Sequence, residues 1–347
     1  FNPSTMKVII FKLSLNMSII RTFQITCQMI FPKDYFSLIL IVFFLVIFSC
    51  KNTKYEDSNY TSKIEVIRFE KLFFESNIDS ILSLKSKFPY LFPNQFSIDE
   101  WKEIYNDSLR RNIFNMSNHA FKEFDSYKTE ISKTIKKIEN EFGSFNIPKI
   151  ITVNNGIDYN YNIIKTDSLL IVSTDCYMGD NIHYKSIPNY ISMKMNKDYF
   201  VKDISQIFLE DFIKYPNDRR FISKIIYYGK IISMMEKITN FDIEQIIGIN
   251  KENANWLYEN EYEIWEYFVK NNLIFSTDIS LEKRFLNDAP YSKFGLSIDS
   301  ESSPMVGKWI GYNIVKSYQN KYNVKLKDLA IMNEYDLYLK SNYTPRK

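Results

Sequence analysis

A nearly unbroken apolar stretch runs from Phe36 to Phe48, thirteen residues of which only Ser37 is polar, and it ends at Ser49-Cys50. As a helix it spans about 20 Å, short of the roughly 30 Å bilayer core and suited to a signal-peptide hydrophobic region. Lys51 to Ser62 is polar without apolar period, as expected of a flexible tether. Ile64 to Phe69 then alternates and predicts a first strand. A short helix is expected over Asn77 to Lys87, and an aromatic, proline-ended turn over Phe88 to Pro93. Ser97 with Glu100 forms a capping-box pattern, followed by one helical face of Trp101, Ile104, Tyr105 and Leu109. The clearest helical period runs from Asn118 to Phe142, carried by Phe121, Phe124, Ile131, Ile135, Ile138 and Phe142 and stopped by Gly143.

Strands are expected at Lys149 to Val153 and Ser168 to Thr174, with Gly156 and Asp158 marking the turn region between them. Beyond Asp175 to Asp180 the pattern turns helical. It predicts helices near Ile187 to Met195, Val201 to Lys214, Asp218 to Lys237, Glu252 to Asn271, Met305 to Tyr322 and Leu326 to Lys340. No internal repeat and no long linker divides the chain. The expected fold is α+β: a single, mostly helical domain with a small sheet over 63–347.

Composition changes this picture in two ways. The whole chain carries 44 basic and 41 acidic residues, but Lys7, Lys12, Arg21 and Lys33 against Asp34 precede Cys50. That leaves 40 of each sign in the 298 residues from Cys50 onward, so charge gives no reason to expect nucleic acid. Cys176 is the only cysteine after Cys50. A disulfide framework is therefore not expected, and Cys176 reads as a small buried hydrophobe.

Ile47-Phe48-Ser49-Cys50 resembles a bacterial lipobox, in which the small residue admits the peptidase and the thiol receives the lipid. Cys50 is thus the candidate lipidation site, carrying fatty acyl chains such as palmitate. Two or three such chains anchor a protein firmly where one does so marginally. A transmembrane anchor or a non-lipidated signal sequence competes for the same stretch. Starting at Met29 gives a signal peptide over 29–49, with 1–28 an upstream extension and 50–62 the tether.

Catalytic motifs are scarce. The chain has two histidines, His119 and His183, in no HExxH spacing, and it lacks a GxSxG elbow, a Walker loop and a GxGxxG run. Glu210-Asp211 and Asp218-Arg219-Arg220 read as helix-terminal charges. No catalytic residue, metal, cofactor or small-molecule substrate is expected.

Several strings keep a common order: Phe88 to Pro93, Asp175-Cys176-Tyr177-Met178-Gly179, Ile226-Tyr227-Tyr228-Gly229-Lys230, Trp256 with Glu263 to Phe268, Tyr291 to Phe294, and Pro304 to Tyr318. Together with the lipobox they resemble the gliding-motility lipoprotein family GldB of Bacteroidota, over Cys50 to Lys347. The resemblance implies an envelope lipoprotein required for gliding. It also implies partners among gliding and type IX secretion components, with the body in the periplasm. More distantly, the order of elements is similar to gluzincin-type zinc peptidases, which carry HExxH on an earlier helix and a Glu before glycine on a later one. Here Asp203 to Phe212 holds no histidine, and Tyr228 precedes Gly229. That comparison implies a degenerate zincin-like fold, catalytically inactive, with its cleft kept for binding. An envelope hydrolase with other ligands, such as His183 with Asp175 and Asp180, is the alternative. Gly307 and Gly311 lie four apart and are expected to permit close helix packing.

Overall fold

Ile150 and Ile151 are neighbours in sequence, both are fully buried, and they belong to different cores. Successive residues of a strand face opposite sides, so a sheet covered on both faces needs apolar residues at both. In the computed structural model, which describes residues 64–345, that sheet lies between the two cores. The expected extension 1–28, signal peptide 29–49, lipidated Cys50 and tether 50–62 lie outside the described residues.

The first half of the chain forms β1 (Val66–Arg68), α1 (Phe69–Phe74), α2 (Ile81–Lys87), α3 (Ile98–Asn106), α4 (Ser108–Ala120), α5 (Phe124–Phe142), β2 (Lys149–Val153), β3 (Ile163–Lys165) and β4 (Leu169–Ser173). The second half is helical: α6 (Asn189–Ser192), α7 (Lys197–Glu210), α8 (Phe221–Ile238), α9 (Ile243–Ile247), α10 (Lys251–Glu259), α11 (Glu261–Lys270) and α12 (Ser280–Phe285). It closes with α13 (Val306–Tyr322), α14 (Leu326–Ile331) and α15 (Glu334–Ser341). Strand order is β1-β2-β4-β3, with β1, β2 and β4 parallel and β3 an antiparallel edge. One face of the sheet meets a phenylalanine cluster from α1, α4 and the turn at 88–92. The other presents Ile150, Leu170 and Val172 to the large helical core. The fold is α+β, mostly helical, in one domain.

Local chemistry explains the helix starts. Ser97 accepts from the Glu100 N–H at 3.2 Å while its own N–H donates to the Glu100 carboxylate at 2.6 Å, the reciprocal capping box. Asn196 caps α7 by accepting the Asp198 N–H at 3.0 Å. That cap moves the expected helix at Val201 to Lys214 back to Lys197–Glu210.

Other expectations are corrected in the same way. The helix expected from Asn118 is two: α4 ends at Ala120, and α5 begins at Phe124. Phe121, in the break, is fully buried with its ring 4.8 Å from that of Phe200, so one ring serves the core from a non-helical position. The helix expected over Glu252 to Asn271 breaks at Asn260, whose side chain donates to the Trp256 carbonyl at 2.8 Å. That over Leu326 to Lys340 breaks at Asn333, which caps α15. The one near Ile187 to Met195 shrinks to α6, while α1, α9, α12 and β3 were not expected at all.

The tightest contact joins α8 to α13. A Cβ on Gly229 would collide with the Gly311 carbonyl, and one on Gly311 with the Ile225 carbonyl. Beside it, buried Lys230 donates to the Glu334 carboxylate at 2.7 Å and to the Met332 carbonyl, tying α8 to α15.

Candidate functional site

Among the described residues, a cleft of about 430 Å³ lies where α7 and α8 meet the end of β4 and the first turn of α13. Gln206 follows Lys202 by four residues and Asp203 by three on α7, so one side of the helix brings all three to it. Tyr228 comes from α8, Lys194 from the turn after α6, Asp288 from the segment after α12, and Lys308 from α13. Ile231, Ile232, Ile246 and Ile247 supply apolar wall.

Most of the charged groups in this cleft are paired. Asp203 accepts from the Tyr177 hydroxyl at 2.8 Å and from Lys202 at 3.1 Å. Tyr177 accepts in turn from the Asn162 amide at 2.8 Å. Burial, reinforced by the Asp203 carboxylate, raises the Tyr177 hydroxyl well above its ordinary range, so it serves as a donor and not as a phenolate. Lys194 pairs with Asp288. Burial alone would raise the Asp288 carboxyl, but Lys194, Lys308 and Lys202 together hold it below the usual carboxylate value.

Lys308 differs. Its ammonium lies 3.2 Å from the Met305 sulfur and 5.1 Å from the centre of the Tyr228 ring, and no carboxylate among the described residues stands within ion-pair distance. Desolvation lowers its pKa to about 8, with Asp288 opposing and Lys194 and Lys202 adding to the fall.

The residues singled out from sequence scatter. His119 is exposed, and His183 sits in a 3-10 turn with its ring 3.0 Å from the Asn112 amide oxygen. Asp175 turns its carboxylate onto the N–H groups of Asn155, Gly156 and Ile157. His183, Asp175 and Asp180 therefore do not converge, and no group of three or more His, Cys, Asp or Glu among the described residues could hold a metal. Cys176 is buried, and burial pushes its thiol up. Asp218 accepts the Arg220 N–H at 3.0 Å at the start of α8, and its hydrogen bonds with Arg220 hold its carboxyl down to about 2. Sequence reasoning missed Lys194, Lys202, Asp288 and Lys308 as a group. The available signal was a lysine, Lys308, set between Gly307 and Trp309 at the start of an apolar helix.

Fold and site together define a mostly helical α+β body with one small mixed sheet and a charged cleft. Residues 50–345 match the family described as Gliding motility protein GldB, and the chain belongs to that family. Membership makes it a gliding-motility lipoprotein, a membrane-anchored protein of the cell envelope. No curated protein and no solved structure matches the chain. No helix among the described residues is long and apolar enough to cross a membrane.

Proposed function

We propose that the chain is a non-catalytic component in the assembly or operation of the gliding and type IX secretion apparatus. Acylated Cys50 holds it to the bilayer, its body faces the periplasm, and its cleft binds another envelope protein or an extended segment of one. The family match carries this proposal, and it begins at residue 50, the cysteine of the lipobox. The cleft adds support. The α7 face and the position before Gly229, where the peptidase resemblance would put metal ligands, carry Lys202, Asp203, Gln206 and Tyr228, and the two cleft carboxylates are engaged in ion pairs. Such a surface is suited to recognition.

A photo-cross-linking residue in place of Tyr190, which lines the cleft, tests the proposal in gliding cells. One dominant adduct with an envelope protein is the expected result. Adducts scattered over many proteins, or purified protein that holds stoichiometric zinc and cleaves peptides, would overturn it.

A further inference from the structure

Two lysines sit on or beside the α8–α13 contact, and they are treated differently. Lys230 is 1 % exposed and has Glu334 at 2.7 Å. A buried cation deprived of its partner is strongly destabilising, which is why such groups are found paired. Lys308 reaches into the cleft with a thioether and an aromatic face for company. The remaining cleft charges cancel, Lys202 against Asp203 and Lys194 against Asp288, so the lining carries one positive charge in excess. Apolar wall from Ile231, Ile232, Ile246 and Ile247 adjoins it.

We infer that the Lys308 ammonium is the receptor for one carboxylate of a bound peptide, whose apolar side chains lie along the isoleucine wall. This rests on the cleft being the binding surface proposed above. Two sources share the chemistry: a chain's C-terminal carboxylate and an acidic side chain.

Three peptides separate them: N-acetyl-Leu-Leu as free acid, its amide, and N-acetyl-Leu-Glu amide. Each is titrated by calorimetry into the full chain in detergent. At least one carboxylate peptide should bind tenfold or more tightly than the Leu-Leu amide. Lys308→Met should abolish that preference, while Lys308→Arg retains part of it. The groups bearing on Lys308 are Asp288, Lys194, Lys202, Glu210 and the Tyr228 ring. Lys308 is charged below about pH 8 and neutral above it, so the preference should fade as pH rises through that value. Should Lys308→Met fail to fold, protection of Lys308 in the unaltered chain from acetic anhydride by the bound acid gives the same answer. Equal binding of the three peptides, or a carboxylate preference untouched in a folded Lys308→Met, would overturn the inference. An adduct from position 190 without carboxylate preference rejects this inference and keeps the proposed function. Carboxylate binding together with adducts scattered over many proteins does the reverse.

Discussion

At the scale of the residue, Asp175 shows how a buried charge is held. It is fully buried at the end of β4 and accepts three backbone N–H groups, from Asn155 at 3.2 Å, Gly156 at 2.8 Å and Ile157 at 2.9 Å. These bonds fix a turn in which Gly156 and Ile157 have φ of 84° and 64°, and the second is an outlying conformation for a β-branched residue. Burial pushes the Asp175 carboxyl up to about 6, against the lowering effect of those N–H groups. The folded chain thus holds this proton more tightly than the unfolded one. Its contribution to stability should decline as pH rises from about 4 to about 6 and stay level above, by an amount on the order of 2–3 kcal/mol. Asp175→Asn should remove that slope. It should also lower stability at pH 7 by about 1–3 kcal/mol, because an amide NH₂ replaces one of the two accepting oxygens. Urea denaturation between pH 4 and pH 7 checks both; an unchanged slope in the variant would assign it elsewhere.

At the scale of the element, the α8–α13 pair decides the geometry of the cleft, since Tyr228 sits on one helix and Lys308 on the other. Gly229 and Gly311 let the two backbones touch. Gly311→Ala should push the helices apart and cost about 3 kcal/mol or more, as overpacking of a closed contact does. Thermal melting would show this, and an unchanged midpoint would mean that the contact relaxes freely. This element was legible in the sequence: Gly307 and Gly311, four apart on an apolar helix, announced close packing, and the Ser97–Glu100 capping box announced α3. Its partner Gly229 was visible only as the residue after Tyr228, since no local pattern says which helix another will meet. β3 escaped notice because three residues, Ile163–Lys165, carry no period of their own. The breaks at Phe121 and Asn260 escaped because the apolar period continues across them. Asp288 and Lys308 lie in different segments, and only the folded chain makes them neighbours.

At the scale of the whole molecule, the proposed anchor at Cys50 and the folded body do separate jobs. Cys50→Ala should leave the body folded and remove the lipid. Membrane fractionation with globomycin treatment checks this: the variant should appear as soluble protein or as unprocessed precursor. A normally processed, globomycin-sensitive product from the variant would assign the acylation to another residue.

The position of β1 has a mechanical consequence. It is the first described strand after the expected tether, and it runs parallel to β2 through Val66↔Ile150, Ile67↔Ile151 and Arg68↔Thr152. A pull directed along β1 would load these rungs in shear, all at once, and would not peel them one by one. Phe69 and Phe73 follow directly and are seated in the aromatic cluster, so a pull on the anchor would meet a clamp before it reached the cleft. A protein of a gliding apparatus would gain from such an attachment, since a tug on the anchor would be taken up before it deformed the rest of the body.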